Sequence, residues 1–391
     1  MSRTPQTDRQ NPQDGPEAAA YAAGLLTIDL EALAANYRLL RDRAAPARCA
    51  AVVKADGYGL GAAPVAQRLQ REGCREFFVA QLREGIALRP HLADDSSIHI
   101  LNGPFPGTAA AFESHRLVPV LNSLEQIADW HALSMRLGRR LDAVIQTDTG
   151  MSRYGLSEAD LLQLEDEPRR LDGIRPTLLM SHLGCADTPE HPMNRLQLDR
   201  LLAQQVPLRG VLGPVAASLA ASSGIMLGPA WHLGMVRPGA ALYGVNPGPG
   251  PNPMRAVVRL QGRIVQTRWI VPGASVGYGA GFVATRHSRI ATLAVGYADG
   301  FLRAGGGGVA TRPDDPRPLP IVGRISMDCL ALDVTILGAQ ALPPGSLIDL
   351  IGPHRPLDDA AAAAGTIGYE MLTALGARHH RRYVGQQEHA P

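Results

Sequence analysis

Apolar and polar positions in the first two thirds of the chain switch repeatedly between a strand-like and a helix-like period. Eight short apolar runs predict strands near Cys49–Lys54, Glu76–Ala80, Ile98–Leu101, Leu117–Leu121, Asp142–Thr147, Arg175–His182, Pro214–Leu219 and His232–Arg237. Helical patterns lie between most of them, at Ala63–Arg71, Leu82–Leu88, Ala109–Ser114, Leu124–Leu137, Glu158–Leu164 and Pro192–Leu202. Repeated strand–helix units predict a parallel sheet. Eight strands in this span favour a closed, TIM-like (β/α)8 barrel over a doubly wound open sheet.

The pattern changes at both ends of this region. Residues 1–24 are polar and lack an apolar core, so we expect a disordered leader there. The barrel domain is then expected over 25–246, with a short strand-like run at Leu25–Leu30 and a helix at Glu31–Arg43 before the eight alternating strands. A Pro- and Gly-rich linker at 247–253 leads to a mostly β domain at 254–391. Its β-rich runs are Ala256–Ile270, Ser288–Tyr297, Leu319–Val334 and Ser346–Ile351, and only Ala360–Leu375 has a helical pattern.

Composition narrows the class of protein. Hydrophobic residues are 45% and the formal charge is only +2, which favours a globular protein and gives no basic field for nucleic acid. No apolar run is long enough to predict a membrane span. The four cysteines form no CxxC pair, which fits reduced thiols in the cytoplasm. His379 and His380 have no acidic or cysteine partner at ligand spacing, so we expect no metal site.

One cation stands apart from all others. Of the 38 lysine and arginine residues, only Lys54 is a lysine. It follows the apolar run of the first predicted barrel strand and precedes a turn rich in Tyr and Gly. A partly desolvated amine can lose its proton and form a Schiff base with a carbonyl, which arginine cannot do. The alternative is a lysine without a chemical role, whose ammonium group extends past the apolar surroundings to reach solvent.

Other polar groups follow the later strands, and the active site of such a barrel lies at the carboxyl ends of its strands. Strand five leads to Arg153, strand six to His182, strand seven to Ser222 and strand eight to Arg237, with Gly239 after it. Hydroxyls and glycines after strands seven and eight are typical of phosphate binding. A Schiff-base lysine facing such a site suggests pyridoxal phosphate. Each residue also has a structural interpretation: a helix start for Ser222, a structural histidine, and a surface cation for Arg237.

The run Val52-Val53-Lys54-Ala55-Asp56-Gly57-Tyr58-Gly59 resembles the pyridoxal-phosphate signature of alanine racemases. The similarity extends over nearly the whole chain after the leader. The further matching segments begin at Asp148, Met180, Val236, Val276, Val295, Gly323 and Thr366, in the order that the family has them. The resemblance implies an enzyme that interconverts L- and D-alanine and supplies D-alanine for cell-wall peptidoglycan.

The resemblance also implies a role for particular residues. Lys54 holds the cofactor and acts as a base on one face of Cα, and Tyr278 of the partner subunit in a homodimer acts on the other face. Arg237 faces the pyridine nitrogen, and His182 packs against the ring. The implied phosphate ligands are Tyr58, Ser222, Gly239, Ala240 and Tyr369. Arg153 and the backbone of Met327 hold the substrate carboxylate, and Tyr297 lines the entrance.

Two positions depart from the family pattern. Many members have a carbamylated lysine that supports the substrate-binding arginine, where this chain has Gln146. Because Lys54 is the only lysine, no lysine carbamate can replace it, and we expect a hydrogen bond between Gln146 and Arg153 instead. Ala221 stands where many members have Asn before the phosphate serine.

Three other functions stay open from the sequence. The first is a racemase of the same fold with a broader substrate range. The second is a related decarboxylase, against which Arg237 argues, because an acidic partner for the ring nitrogen is then expected. The third is a non-catalytic pyridoxal-phosphate carrier, which resembles the barrel alone.

Overall fold

The structure is a computed structural model that describes residues 16–340 and 342–385. Two compact units divide the chain. One is 30–255, and the other combines 256–385 with the described residues up to Asp29. The described part of the chain therefore begins in the second unit, with helix α1 (Pro16–Tyr21) and strand β1 (Gly24–Asp29), and then continues into the first unit.

The first unit is a parallel β-barrel surrounded by helices. Its strands are β2 (Arg48–Cys49), β3 (Ala51–Val52), β4 (Glu76–Val79), β5 (Ser97–Ile100), β6 (Val118–Leu121), β7 (Leu141–Gln146), β8 (Ile174–Met180), β9 (Ala216–Ala221) and β10 (Met235–Arg237). The helices are α2 (Leu30–Ala44), α3 (Lys54–Tyr58), α4 (Ala62–Arg71), α5 (Leu82–Leu88), α6 (Ala109–Ser114), α7 (Leu124–Leu137), α8 (Glu158–Asp166), α9 (Pro192–Leu212) and α10 (Ser222–Met226).

The barrel closes through its first strand. Strands β2 and β3 are two segments of one strand, separated by Ala50 alone. Segment β2 pairs with the last strand, β10, while β3 pairs with β4. The N–H of Ala50 donates to Val236 O at 2.9 Å, and that of Val53 donates to Phe78 O at 2.9 Å. Counting β2 and β3 together, eight strands form a closed ring, as the sequence predicted.

Local signals explain the helices that surround the barrel. Helix α7 begins after Ser123, whose side chain accepts the N–H of Gln126, and ends at Gly138 with φ +62°. Both are preferred cap residues at those ends. Helix α9 extends ten residues beyond the predicted end at Leu202, and it contains Pro207. No helix among residues 16–340 and 342–385 is long and apolar enough to cross a membrane.

The second unit is mostly antiparallel β structure. It comprises β11 (Val258–Ile270), β12 (Ser275–Val276), β13 (Phe282–Val283), β14 (Ser288–Leu293), β15 (Val309–Arg312), β16 (Asp315–Val322), β17 (Leu330–Asp333), β18 (Leu347–Ile351), α11 (Leu357–Ala363), α12 (Gly368–Ala374) and β19 (His380–Val384). The long strand β11 pairs with β1 and β18 along its first half and with β14 along its second. The sheet β11-β14-β17-β16-β15-β18 therefore returns to β11.

Three expectations about this unit need correction. Residues 1–15 of the expected disordered leader lie outside the described residues, but 16–21 form α1 and Gly24 begins β1. The strand-like run at the start of the expected barrel domain is β1 of this unit, which pairs antiparallel with β11 and parallel with β19. Its alternating burial fits a sheet with one covered face, unlike the doubly buried strands of a barrel. The helix predicted over Ala360–Leu375 is two helices, because Gly365 between them has φ +67°.

A ring of four charges joins helices α2 and α4 of the barrel unit. Arg38 contacts Glu31 at 2.6 Å and Glu72 at 2.9 Å, and Arg68 contacts Glu31 at 2.6 Å and also Glu72. Arg68 is buried, while Glu31 is partly exposed. Hydrogen bonds from Arg38 and then Arg68 lower the pKa of Glu31.

We predict that Arg68→Ala lowers the free energy of unfolding by about 2 kcal/mol, between the values typical of exposed and of buried ion pairs. The deficit should shrink in acid, because a carboxylate with a lowered pKa stabilises the fold only until pH falls through that pKa. Urea unfolding at several pH values measures both effects. Arg71→Ala, an exposed arginine of the same helix, is the control. An equal loss in the two variants would contradict the prediction.

Candidate active site

A left-handed turn follows strand β3. The four residues from Ala55 to Tyr58 have φ values between +53° and +62°. Left-handed backbone costs roughly 1–2 kcal/mol for each residue other than glycine, and such strain concentrates at functional sites. The N–H of Gly57 donates to Val53 O at 2.9 Å, and that of Gly59 donates to Ala55 O at 2.7 Å. The turn leaves Lys54 half-buried at the carboxyl end of the strand and buries Tyr58.

The Lys54 amine lies among charges of both signs. Burial, and then the positive charge of Arg153, lower its pKa, while the charge of Glu84 raises it. An amine with a lowered pKa is neutral over a wider range of pH, and only the neutral form can act as a nucleophile or take a proton. Lys54 follows a buried strand, as the sequence predicted, and its environment favours the reactive form.

Arg237 ends strand β10 and is buried. Its Nη2 donates to Ser181 O at 2.6 Å, and its Nη1 donates to the hydroxyl of Ser218. That hydroxyl in turn donates to Met235 O at 2.7 Å. In the described part of the chain no carboxylate forms an ion pair with Arg237. Burial lowers the pKa of its guanidinium to about 9, so the group stays a cation at neutral pH.

His182 lies beside this arginine, just beyond β8. Its Nδ1 is 3.4 Å from Arg237 Nη2. Burial, followed by the charges of Arg237, Arg153 and Lys54, lowers the pKa of His182 to about 3. The imidazole is therefore neutral at physiological pH. Because a guanidinium only donates, Nδ1 is the acceptor and the ring proton is on Nε2.

Hydroxyl and backbone N–H groups converge after strands β9 and β10. The Ser222 hydroxyl accepts the N–H of Gly239 at 3.0 Å and of Ala241 at 3.2 Å. Ala240 lies between these two residues and is the first residue of the short 3-10 helix Ala240–Tyr243. A Cβ added to Gly239 would lie 2.3 Å from Tyr58 Oη, so Tyr58 reaches the same place from the left-handed turn. The Ser222 hydroxyl accepts these bonds and keeps its own proton to donate, and neutral polar groups gathered in this way are suited to an anion.

Arg153 lies on the loop that follows β7. Asp148 shapes this loop, because its Oδ1 accepts the N–H groups of Gly150 at 2.8 Å, Met151 at 3.0 Å and Ser152 at 3.1 Å. Arg153 itself is exposed, and its charge acts on both Lys54 and His182. It is therefore placed to attract an anionic group near the amine.

The expected hydrogen bond from Gln146 to Arg153 is not found among the described residues. Gln146 is the last residue of β7 and is buried, whereas Arg153 extends from the exposed loop. The loop is fixed to the strand by backbone bonds instead: Leu156 N donates to Gln146 O at 2.8 Å, and Asp148 N donates to Leu156 O at 3.0 Å. Ala221 precedes α10 and offers it no side-chain cap.

Gln197, on α9, was not singled out from the sequence. It is buried, and its Nε2 donates to His182 O at 2.7 Å and to the Thr149 hydroxyl at 3.3 Å. Its Oε1 accepts the N–H of Gly184 at 2.8 Å. One amide thus holds both the loop that carries Arg153 and the segment that carries His182. The only sequence signal was a polar residue on a helix face, which is too common to be informative.

The remaining predicted site residues lie in the β unit. Tyr278 begins a 3-10 helix after β12 and is 72% exposed, and Met327 is 54% exposed. The N–H of Tyr297 donates to Ser326 O at 3.1 Å, and that of Ala298 donates to Met327 O at 2.9 Å. Tyr297 and Met327 are therefore on adjacent segments. Tyr369 is the second residue of α12 and is also exposed.

These features define a barrel that carries a half-buried amine, a cluster of hydroxyl and backbone N–H groups, and a buried guanidinium at the carboxyl ends of its strands. No group of three His, Cys, Asp or Glu side chains placed to hold a metal ion occurs in 16–340 or 342–385.

Comparisons with known proteins identify the family. The family model "Alanine racemase, N-terminal domain" matches residues 28–247, and "Alanine racemase, C-terminal domain" matches 257–383. The chain is 49% identical to a catabolic alanine racemase of Mesorhizobium japonicum, over 95% of this chain and 96% of that one. It is 47% identical to an alanine racemase of Rhodospirillum rubrum, over 94% and 97%. The alanine racemase of Bartonella henselae, solved with covalently bound pyridoxal phosphate, superposes with a TM-score of 0.87 at 39% identity, covering 93% of this chain and all of that one.

The chain belongs to the alanine racemase family. Both family domains are present, in the order that the sequence predicted, and each corresponds to one part of the observed architecture.

We predict that Gly239→Ala weakens the binding of pyridoxal phosphate about tenfold or more, since about 1.4 kcal/mol of lost interaction is a factor of ten. The added Cβ would displace the Tyr58 hydroxyl from the cluster of hydroxyl and backbone N–H groups. Equilibrium titration with the cofactor measures the change. Gly248→Ala is the control, because its Cβ meets nothing within 4 Å. Equal affinity in the two variants would show that Gly239 is not part of the cluster.

Proposed function

We propose that this chain interconverts L- and D-alanine with pyridoxal phosphate held at Lys54. The observation that carries the proposal is the position of Lys54: the only lysine of the chain, half-buried, with a lowered pKa, at the carboxyl end of a barrel strand. Membership of the family supports the reaction. The roles of the residues are inferred from their surroundings.

The described residues of the barrel fit this cofactor. The nest of Ser222, Gly239, Ala240 and Tyr58 offers hydroxyl and backbone donors suited to a phosphate, and Tyr369 is proposed as a further phosphate ligand. The Arg237 guanidinium is fixed by Ser181 and Ser218, so it can face a ring nitrogen without giving up its proton. When bound, pyridoxal phosphate accepts the electron pair left at Cα after deprotonation.

Two bases are proposed for the proton transfers. The Lys54 amine takes the Cα proton on one face in its neutral form, which its lowered pKa favours, and returns a proton there in its ammonium form. The Tyr278 phenol serves the opposite face. Inversion at Cα requires removal on one side and return on the other, so a single base is not sufficient. His182 is neutral and its proton is on Nε2, so it packs as an uncharged ring beside Arg237.

The substrate carboxylate is proposed to bind Arg153 and the backbone of Met327. The exposed Arg153 guanidinium offers paired donors to a carboxylate. The carbonyl of Met327 is already an acceptor for Ala298 N–H, so its N–H is the group proposed to bind the substrate. Tyr278 and Met327 are proposed to come from the partner subunit of a homodimer, in which each β unit completes the partner's site. The high exposure of both side chains supports this arrangement.

The structure and the family match bear on the three alternative functions to different extents. A racemase with a broader substrate range remains the nearest rival, and it differs only in the space around the substrate side chain. The buried cation Arg237, with no ion-pair carboxylate in the described chain, disfavours a decarboxylase that needs an acidic partner for the ring nitrogen. A carrier protein is disfavoured because the family match continues through the C-terminal domain.

The physiological role is proposed at two levels. Four free cysteines support a cytoplasmic enzyme, because thiols persist in reducing compartments. Supply of D-alanine for peptidoglycan is the expected role, while the relative from Mesorhizobium japonicum is described as catabolic. Rescue of a D-alanine auxotroph by this chain would support the role in peptidoglycan synthesis. A deletion strain that can no longer grow on alanine would support the catabolic role.

We predict that Lys54→Ala abolishes racemisation and covalent attachment of pyridoxal phosphate. Borohydride reduction of the native enzyme, followed by peptide mass spectrometry, should find the cofactor mass on the Lys54 peptide alone. Arg71→Lys adds a second, exposed amine and serves as the control, in which labelling should stay on Lys54. Full activity of Lys54→Ala would refute the scheme.

We predict that Tyr278→Phe slows Cα proton exchange from one alanine enantiomer more than from the other, by about a hundredfold or more, the usual worth of a general base. Deuterium incorporation in D2O, started separately from L- and D-alanine, measures the asymmetry. Tyr21→Phe, at a tyrosine that is 82% exposed, is the control. Equal losses from both enantiomers would exclude Tyr278 as a base specific to one face.

A further inference from the structure

The Glu84 carboxylate accepts three backbone N–H groups, which belong to residues that follow two neighbouring barrel strands. Its Oε2 accepts the N–H of Ala80 at 2.8 Å and of Gln81 at 2.8 Å, and its Oε1 accepts the N–H of Ala55 at 2.6 Å. The two residues bound by Oε2 follow β4, and Ala55 follows β3 directly after Lys54. One side chain therefore ties together the ends of neighbouring strands.

Only part of this arrangement is ordinary helix capping. Gln81 is the N-cap of α5 and Glu84 its third residue, so the bond to Gln81 N–H belongs to a capping box. The bond to Ala55 does not. Ala55 is the first residue of the left-handed turn, and its N–H belongs to the peptide bond that it shares with Lys54. A charged acceptor at 2.6 Å makes this a strong hydrogen bond.

We propose that Glu84 is a positioning residue for Lys54: its carboxylate fixes the peptide that follows the lysine and balances the positive charge of Arg153 at the amine. The strained turn then keeps one conformation, and the lysine side chain starts from a fixed backbone. This inference rests on the proposed role of Lys54 as the cofactor-binding amine.

The charges around Lys54 determine the direction in which its pKa should move when the Glu84 charge is removed. Arg153, on the loop after β7, lowers the pKa of Lys54, and Glu84, on α5, raises it. His182, beyond β8, is neutral near physiological pH and adds no charge there. Asp56 lies two residues along the chain, and its Oδ1 accepts the N–H of Ala62 at 2.8 Å. Removing the Glu84 charge leaves Arg153 unopposed, which lowers the pKa of the amine further.

The test compares how enzyme freed of cofactor by hydroxylamine attaches added pyridoxal phosphate at different pH values. In this step the Lys54 nitrogen forms a C=N bond to the aldehyde carbon, and the aldehyde oxygen leaves as water. Attachment requires the neutral amine, so its rate rises with pH around the pKa of Lys54. Cofactor absorbance follows the reaction in the native enzyme and in Glu84→Gln.

The expected result is a shift of the rate profile of Glu84→Gln to lower pH. Asp160→Asn is the matched control, because the Asp160 carboxylate accepts Ser157 N–H at 2.9 Å in the capping box of α8. Asp160→Asn should lose about as much stability as Glu84→Gln, but its rate profile should not shift along the pH axis. An unchanged profile in Glu84→Gln, or a shift to higher pH, overturns the proposal and leaves Glu84 as a helix cap.

A second variant covers the case in which Glu84→Gln does not fold. Glu84→Asp keeps the charge but shortens the side chain by one methylene, so the bond to Ala55 should be lost. Attachment should then be slower at every pH with an unshifted midpoint, and a rate equal to that of the native enzyme contradicts the positioning role. If no attachment occurs even in the native enzyme, the proposed role of Lys54 fails instead.

Discussion

The site depends on keeping one primary amine partly out of water beside a guanidinium group, in a fixed orientation. Burial and the Arg153 charge both act against the protonated form of Lys54. Orientation comes from the backbone, since a left-handed turn begins directly after the lysine. Glu84 accepts the N–H of Ala55, the first residue of that turn, and Asp56 within the turn accepts the N–H of Ala62 at the start of α4. The barrel supplies the rigid strand end from which the turn departs.

The second constraint is a buried cation that forms no ion pair with a carboxylate among residues 16–340 and 342–385. Arg237 is held by a carbonyl and a hydroxyl, so its positive charge is oriented but not neutralised. A carboxylate here would offer a proton acceptor and would change the charge felt by neighbouring groups. Burial first, and then the charge of Arg237, lower the pKa of His182 and keep it neutral, because an imidazolium next to Arg237 would place two buried positive charges together. Arginine and histidine thus act as one electrostatic unit.

Sequence patterns predicted much of this arrangement, for identifiable reasons. The barrel strands are apolar runs bounded by helices, so their ends, and with them Lys54, His182 and Arg237, could be placed in advance. The assignment of β1 to the other sheet could not, because its pattern identifies a strand but not its partners. The left-handed turn was hidden as well, since Ala and Tyr rarely adopt positive φ. Glu84 acts through hydrogen bonds to a distant strand, which no local pattern encodes.

The left-handed turn has a stereochemical consequence. A right-handed backbone is natural to L-residues and a left-handed one to their mirror images, so the segment after Lys54 has the handedness that D-residues adopt without strain. Of its four residues only Gly57 is achiral. A D-alanine introduced by peptide ligation in place of Ala55 would therefore relax the backbone and keep the methyl group. The amine proposed to make D-alanine is thus held on a stretch of main chain for which D-alanine is the better-fitting residue.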